Sequence, residues 1–494
     1  MKFKSVIQFT IATFVSRILG FIRDASIAFL VGASRFADVF NVAFRIPNLL
    51  RDLLAENVMQ SAFVPTYVKA NEKGEDPEHF LDVVFSIFLF ASIFLVVIGI
   101  VFSREIVLVT AYGFKSIPDK FLKTVEVTRI TFPYLTLVSI AAIFQAVLNA
   151  RKEFFQPALS TAFLNIGVIL VVLAAYYFIP SGDYPRVLGY SVLLGGLLQL
   201  LYLSQRLKYH NVIPKITFPL KHPLLPEFGK LLIPVFLSVG FSKITPFINT
   251  LIASFLREGS VSYLTYAYRL MQLPVGLFAV ALQTVSITSF AELNAKNQDI
   301  SDTLWKAVYY SIFLTLPSTV FLMYYSGEIV KILFQRGAFT PLDTIYTSQA
   351  LIMYSPHIVA IGVSKVFLNY FFARGETKYP NISVVLGTTS NLAVAVFLSK
   401  KLDFPALALA VSTGTMVQMI FLFAKVSSRA RITKEFASKI FKVIANTAIS
   451  LIPSLILKSQ NDFMRLLTGL LLFTGVFVFL SYITNTLPEI RARR

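Results

Sequence analysis

Long apolar runs without charged side chains most constrain what this chain can fold into. Residues 83–102 and 166–179 contain no Asp, Glu, Lys or Arg. Runs of this kind are typical of membrane-spanning helices, whereas the strands of a membrane barrel alternate polar and apolar residues. Only 14% of the 494 residues are charged, compared with roughly 25% in soluble proteins. The chain is therefore predicted to be an all-α integral membrane protein.

The apolar segments predict about fourteen transmembrane helices. With the N-terminus in the cytoplasm, basic residues concentrate on the cytoplasmic side, and an even number of spans puts both termini there. The basic start of the chain lacks a small-residue cleavage site, so we interpret it as part of the first helix. The spans are expected at 5–31, 36–68, 80–103, 122–150, 156–180, 184–206, 226–256, 260–292, 304–326, 343–373, 379–400, 403–427, 436–458 and 464–487.

An internal repeat divides the chain. The segment ARKEFFQP at 150–157 resembles ARGETKYP at 373–380, and Pro133 corresponds to Pro356 at the same offset. Both copies begin on an odd-numbered span, so they have the same orientation, and such internal repeats are common in transporters. We therefore expect an N-lobe of six helices at 1–206, a cytoplasmic linker at 207–225, a C-lobe of six helices at 226–427, and a C-terminal helix pair at 428–494.

Charged side chains lie inside the first two predicted spans. Each would cost at least about 2.5–3.5 kcal/mol if it faced lipid at the membrane centre. Several such charges indicate that these spans line a water-filled or protein-walled cavity. The charged residues between positions 16 and 56 are Arg17, Arg23, Asp24, Arg35, Asp38, Arg45, Arg51, Asp52 and Glu56.

Three arginines are the main candidates for a binding site. Arg23, Arg51 and Arg269 lie in the first, second and eighth spans, well inside apolar sequence. A guanidinium group is always charged, and its planar donors fit phosphate oxygens. Arginines of both lobes that meet would form an anion site. Internal pairing with neighbouring acidic residues is the alternative, and it remains open at this point.

The other charges in these spans have two interpretations each. Arg17 could guide a substrate or extend to lipid headgroups. Asp24 follows Arg23 and should point about 100° away from it around the helix. Asp38 could be an ordinary acidic residue at a helix start or the latch of an outer gate. Lys243 corresponds to Arg17 in the second lobe.

Several kinds of site are not expected. There is no cysteine, and no HExxH, GxSxG or phosphate-binding Gly-Lys-Ser/Thr motif occurs. His357 lies in a span and is interpreted as a buried polar contact, while Lys365 is an open candidate for cavity lining. The chain has 45 basic and 26 acidic residues. We attribute this excess of positive charge to basic loops on the cytoplasmic side of the membrane rather than to nucleic-acid binding. No enzyme, metal site or cofactor is predicted.

The sequence also resembles a known family. SRILGFIRD at 16–24, FADVFNVAFRIPNLLRDLLAE at 36–56, QSAFVP at 60–65 and YAYRLMQLPVGLFAVAL at 266–282 resemble the MurJ/MviN family of lipid II flippases. That family belongs to the superfamily of multidrug and polysaccharide exporters. The resemblance covers essentially the whole chain.

The resemblance implies a fold and an activity. Two six-helix lobes would surround a central cationic cavity, and the last two helices would form a groove for the polyprenyl tail. By alternating access, the protein would move lipid II, an undecaprenyl-diphosphate-linked disaccharide-pentapeptide, to the periplasmic leaflet of the bacterial inner membrane. Negative potential inside the cell would favour this movement. Phospholipids and the cell-wall synthesis machinery are the other expected partners, and a monomer is expected.

The resemblance also implies site residues. The substrate diphosphate would be bound by arginines, and acidic residues would take part in gating or contact the headgroup. Some family members have an acidic sodium site, but the seventh, eleventh and twelfth spans here have no Asp or Glu in their interiors, so the resemblance does not extend to sodium coupling. The implied residues are Arg17, Arg23, Arg51 and Arg269 for binding, and Asp24, Asp38 and Glu56 for gating or headgroup contact.

Other functions remain open at this stage. An exporter of another anionic polyprenyl-linked glycan would share the cationic cavity. A multidrug antiporter of the same superfamily should instead have an acidic or aromatic cavity. A membrane enzyme acting on a polyprenyl diphosphate would need a base or a carboxylate cluster in a loop, and a scaffold protein would leave the buried arginines unexplained.

Overall fold

The computed structural model describes residues 3–52, 59–456 and 461–488. Within these ranges all regular secondary structure is helical, which confirms the predicted all-α fold. The first half of the chain forms α1 (Phe3–Val31), α2 (Arg35–Arg51), α3 (Val64–Lys73), α4 (Pro77–Val101), α5 (Ser103–Thr110), α6 (Pro118–Thr131), α7 (Tyr134–Ala150), α8 (Phe155–Phe178) and α9 (Tyr184–Tyr209).

The second half repeats this order and adds a C-terminal extension. Its helices are α10 (Leu225–Ala253), α11 (Ser260–Pro274), α12 (Val280–Ala295), α13 (Ser301–Tyr324), α14 (Ser326–Phe334), α15 (Pro341–Tyr354), α16 (Pro356–Ala373), α17 (Lys378–Leu402) and α18 (Pro405–Ser427). The extension consists of α19 (Lys434–Ser450), α20 (Ile452–Ile456) and α21 (Asp462–Ile483).

Most of these helices can cross a membrane. In the described part of the chain, 11 helical segments are long and apolar enough to do so. The predicted spans 5–31 and 226–256 are not among these 11 segments. Their helices α1 and α10 have 29 residues each and are about 44 Å long, more than the roughly 30 Å of the hydrocarbon core. The remaining predicted span, 36–68, includes the undescribed residues 53–58. The protein is thus a multi-pass helical membrane protein.

The repeat is visible in the positions of the helices. Helix α6 begins at Pro118 and α15 begins at Pro341, an offset of 223 residues. The predicted spans 122–150 and 343–373 are each interrupted, at Pro133 between α6 and α7 and at Pro356 between α15 and α16. Proline cannot donate a backbone hydrogen bond and disfavours a continuous helix, which explains both interruptions.

The chain forms two compact units. The N-unit contains Met1–Ser262 and Arg336–Phe339, and the C-unit contains Tyr263–Gln335 and Thr340–Arg494. Each unit has its own apolar core. The N-unit core includes Phe63, Phe80 and Phe144, and the C-unit core includes Phe290, Trp305 and Phe367. The lobe limits predicted from the sequence, 1–206 and 226–427, remain a prediction.

Glycines bring one helix pair of each unit into close contact. A Cβ atom on Gly195 of α9 would lie 2.4 Å from the backbone oxygen of Leu164 on α8. A Cβ atom on Gly414 of α18 would lie 2.5 Å from the backbone oxygen of Gly387 on α17. Small residues allow this approach because membrane helices associate largely through packing.

Candidate functional site

Arg23 on α1 lies in a polar cluster of the N-unit. Its Nε and Nη2 atoms donate to Oδ1 of Asp24 over 3.0 and 2.7 Å, and Nη1 donates to Oδ1 of Asn165 over 3.1 Å. The Arg23 side chain is only 18% exposed. Pairing of Arg23 with an acidic neighbour, the alternative that the sequence left open, is present. The two Cα–Cβ bonds do diverge around the helix, but the long arginine side chain reaches back to its neighbour.

Asn165 on α8 was missed in the sequence analysis. It is 6% exposed, and its Nδ2 atom donates to the backbone oxygen of Ser16 over 3.2 Å. Asn165 thus connects the Arg23 guanidinium to α1 and fixes its orientation. Its carboxamide lies inside the predicted fifth span and could have identified it, because polar side chains in membrane helices usually have a specific hydrogen-bond partner.

The second arginine of the N-unit shares a carboxylate with a lysine. Arg51 Nη2 lies 2.7 Å from Oδ1 of Asp52, and Lys243 Nζ of α10 lies 2.6 Å from Oδ2 of the same residue. Two cationic side chains therefore contact the same carboxylate. Lys243 was predicted only as the counterpart of Arg17, and its pairing with Asp52 was not foreseen.

Asp38 on α2 is buried in an ion pair. It is 1% exposed, and its Oδ2 atom lies 2.8 Å from Nζ of Lys120, which is 4% exposed. The backbone N–H groups of Gly259 and Ser262 and the Ser262 hydroxyl also donate to this carboxylate, over 2.9, 3.0 and 2.8 Å. Asp38 lies in the first turn of α2, the helix-start position expected for it, and its burial in an ion pair was not foreseen. Lys120 was missed because the fourth span was expected to begin at 122.

Arg17 differs from the arginines that have acidic neighbours. It is exposed on α1 and lines a cavity of about 620 Å³ in the N-unit. Among the residues that the structure describes, none forms a hydrogen bond or ion pair with its guanidinium. Its donors are therefore available to an external anion. The predicted gating residue Glu56 lies outside the described residues.

Arg269 is the candidate in the C-unit. It is exposed on α11, beside Tyr268, whose hydroxyl accepts a hydrogen bond of 2.6 Å from Nε2 of Gln272. Helix α11 continues into a π-helical segment, Val275–Ala279, and a π-helical segment, Met59–Phe63, also follows α2 in the N-unit. Single π-helical turns occur frequently at functional sites. The arginine-bearing second helix of each repeat is thus followed by the same irregularity.

The interior of the C-unit contains two further predicted residues. Nδ1 of His357 lies 2.8 Å from the hydroxyl of Thr415 on α18, so the predicted polar contact of His357 is confirmed. Lys365 is half-buried on α16, and its role as a cavity-lining residue remains a prediction. In the described ranges, no group of three or more His, Asp or Glu side chains could hold a metal ion.

Comparison with known proteins gives consistent matches. A family model described as lipid II flippase MurJ matches residues 27–477. A probable lipid II flippase MurJ of Buchnera aphidicola is 32% identical over 467 residues, which cover 93% of this chain and 91% of the relative. A second one, of Thermotoga maritima, is 32% identical over 483 residues, which cover 97% and 95%.

Solved structures show the same relationship. A structure described as lipid II flippase MurJ in an inward closed conformation has a TM-score of 0.83 and 29% sequence identity, and covers 97% of this chain and 98% of the solved one. An inward-facing MATE family transporter of the MOP superfamily has a TM-score of 0.67 and 14% identity, which shows a common fold alone. The chain belongs to the lipid II flippase MurJ family, a family of transporters rather than enzymes.

Proposed function

We propose that this protein moves lipid II from the cytoplasmic to the periplasmic leaflet of a bacterial inner membrane. The observation that carries the proposal is the family match over residues 27–477, a region that contains Arg51 and Arg269. Bound lipid II would be exposed to one side of the membrane at a time by alternating access. Movement of a charged headgroup through the hydrocarbon core would otherwise be prohibitively slow.

The diphosphate of lipid II is the group that these cations would bind. We assign Arg23, Arg51 and Arg269 to this role, with Arg17 as a further contact. Charge-assisted hydrogen bonds from arginine to phosphate can be bidentate and are stronger than neutral ones. Arg51 and Lys243 both contact Asp52, and this grouping of cationic side chains supports the assignment.

The acidic residues would act in gating or contact the headgroup. Asp24 pairs with Arg23 and would compete with the diphosphate for the same donors. Asp38 joins α2 to Lys120 of α6 and to the backbone near Ser262, so a movement that separates these segments must break a buried ion pair. We propose that this cost makes Asp38 part of a gate, and we assign Glu56 to the same group.

The polyprenyl tail would remain in lipid beside the C-terminal helices. Phe441, Leu455 and Ile456 on α19 and α20, and Leu471 and Phe479 on α21, expose apolar side chains. Ion pairs from Arg465 to Glu328 and from Lys331 to Asp462 attach α21 to α14 of the same unit. Exposed apolar side chains of this kind suit contact with an alkyl chain rather than with a soluble ligand.

The proposed arrangement in the membrane has both termini in the cytoplasm. A lobe at 1–206 and a lobe at 226–427 would be connected by a cytoplasmic linker at 207–225. The positive-inside rule supports this orientation. Membrane phospholipids and the cell-wall synthesis machinery are the expected partners of a monomeric protein, and no nucleic acid is expected.

Native mass spectrometry with lipid II and with undecaprenyl phosphate tests this function. We expect the wild-type protein to prefer lipid II. Arg23→Ala, Arg51→Ala and Arg269→Ala should each weaken lipid II binding at least about tenfold, because each removes charge-assisted hydrogen bonds to the diphosphate.

Arg186→Ala is the matched control, since Arg186 is exposed and pairs with Glu126 and Asp183 away from these clusters. Equal binding of lipid II by all of these proteins would show that the three arginines are structural. Equal binding of the two lipids by the wild type would contradict the proposed substrate.

A further inference from the structure

The cavity beside Arg17 has more space than a phosphate group needs. Its volume of about 620 Å³ lies within the range of roughly 300–1,000 Å³ that is usual for pockets binding organic ligands. Helices α1, α7 and α8, the π-helical segment and the start of α3 form its walls. The lining residues are Phe9, Thr13, Ser16, Arg17, Gln60, Val64, Gln145, Asn149, Phe154, Pro157, Ala158 and Thr161.

Two carboxamide side chains in this cavity are hydrogen-bonded to each other and have further donor and acceptor atoms available for a ligand. Asn149 Nδ2 donates to Oε1 of Gln60 over 3.1 Å. Among the described residues, neither the Asn149 oxygen nor the Gln60 nitrogen has a hydrogen-bond partner. The pair therefore offers an acceptor and a donor group, and exchanging the two atoms of both carboxamides reverses the hydrogen bond but still leaves a donor and an acceptor.

A third carboxamide is held in place beside the pair. Gln145 Nε2 donates to the Ser160 hydroxyl over 2.7 Å, and that hydroxyl donates to the backbone oxygen of Pro157. These contacts use the nitrogen of Gln145 and fix its rotamer. In the part of the chain that the structure describes, its Oε1 atom has no partner and remains a further acceptor.

The chemistry of the lining selects a particular kind of ligand. A secondary amide has one N–H donor and one carbonyl acceptor, which is the complement of the Gln60–Asn149 pair. Phe9, Phe154 and Pro157 supply apolar wall for the carbon atoms around such an amide. The unpaired Arg17 guanidinium supplies donors for a phosphate next to it. A phospholipid headgroup could satisfy Arg17, but its phosphate would leave the carboxamide pair unused.

We propose that this cavity is a subsite for an amide group of the glycopeptide headgroup, located next to the phosphate contact of Arg17. Gln60 and Asn149 bind the N–H and the carbonyl of that amide, and Gln145 adds an acceptor. The amide belongs either to an acetylated amino sugar or to the peptide. The inference rests on the proposed transport of lipid II, and it assigns recognition of the headgroup to residues that carry no charge.

The test compares three lipids on the purified full-length protein by native mass spectrometry. Lipid II has both kinds of amide, lipid II treated with an amidase keeps the sugar amides, and undecaprenyl diphosphate has none. We expect Gln60→Ala/Asn149→Ala to weaken lipid II binding about tenfold, the loss of two hydrogen bonds, and to leave undecaprenyl diphosphate binding within about twofold of wild type.

The peptide-free lipid identifies the amide. A similar loss with this lipid assigns the subsite to the sugar, and no loss assigns it to the peptide. Gln298→Ala, an exposed carboxamide in a loop, is the control and should change none of the three affinities. Alanine is well tolerated in helices, and the single variants Gln60→Ala and Asn149→Ala serve if the double variant does not fold.

Two results would overturn the subsite. An unchanged lipid II affinity in the double variant would show that the carboxamides do not contact the headgroup. An equal loss with lipid II and undecaprenyl diphosphate would show that they act on the diphosphate or on the fold. A wild-type protein that prefers neither lipid II nor undecaprenyl diphosphate over undecaprenyl phosphate would instead refute the proposed function, and the subsite with it.

Discussion

Asp38 shows how much a single buried carboxylate can influence this protein. Its oxygens accept from Lys120, from two backbone N–H groups and from a hydroxyl. A buried ion pair is favourable only when additional hydrogen bonds compensate for the lost hydration, and these donors supply that compensation. Removal of one partner leaves the other charge buried without compensation.

We therefore predict that Asp38→Ala destabilises the protein by about 3–5 kcal/mol because Lys120 is left unpaired. The double variant Asp38→Ala/Lys120→Met should recover a large part of this loss, since no unpaired charge remains. Apparent melting temperatures in detergent would measure both effects. A double variant as unstable as Asp38→Ala would show that the unpaired charge of Lys120 is not the cause of the lost stability.

At the residue scale, the sequence identifies charges but not their partners. It selects Arg23 and Arg51 because charges inside apolar spans are costly. It does not predict that Asn165 orients Arg23, or that Lys243 joins Asp52 from a position 191 residues away. Such contacts depend on how distant helices are packed, and a single sequence has no local pattern that encodes them.

At the element scale, the glycine contacts of α8 with α9 and of α17 with α18 are the clearest common feature of the two units. In both pairs, the close approach places backbone atoms where a side chain would otherwise lie. Backbone atoms cannot move aside to make room for a new side chain, whereas the end of a flexible side chain can. The two helix pairs are therefore sensitive to the addition of one methyl group.

Gly195→Ala should lower the stability of the protein by roughly 1–3 kcal/mol, because the new Cβ atom would lie 2.4 Å from a backbone oxygen of α8. Gly475→Ala on α21 is the matched control. A Cβ atom there has nothing within 4 Å, so helix propensity should make this change neutral or slightly stabilising. Apparent melting temperatures would compare the two. Equal melting temperatures of the Gly195→Ala and Gly475→Ala proteins would contradict the close contact of α8 with α9.

Most elements were predictable because membrane helices have a strong local signal. Hydropathy gives the approximate limits of the 11 helical segments that can cross a membrane, and the repeat is detectable from eight residues at 150–157 and 373–380. The separate helices α6 and α7 were predicted as one span, since apolar sequence continues through Pro133. The π-helical segments after α2 and α11 also have no hydropathy signature, so they could not be predicted.

At the scale of the whole molecule, charge movement determines what can drive transport. The diphosphate carries about two negative charges, and each is equivalent to about 2.3 kcal/mol per 100 mV across a membrane. A potential that is negative inside the cell therefore favours outward movement of the headgroup.

We predict that an imposed potential, negative on the cytoplasmic side of the protein, accelerates lipid II translocation in proteoliposomes. Collapse of the potential with an ionophore should slow it. The measurement is the appearance of the headgroup on the opposite leaflet, and vesicles with the Arg23→Ala protein provide the background rate. A translocation rate that does not change with the potential would refute this driving force.

The contacts of the Asp52 carboxylate matter for the step in which the transporter, without cargo, returns to its starting conformation. After the cargo leaves, the cations of an anion carrier would face the membrane interior with no counterion, which costs several kcal/mol per charge. Asp52 stays covalently attached and already contacts both Arg51 and Lys243. If Arg51 binds the diphosphate as proposed, this carboxylate would serve as a resident anion, and the cargo would depart by exchange of hydrogen-bond partners.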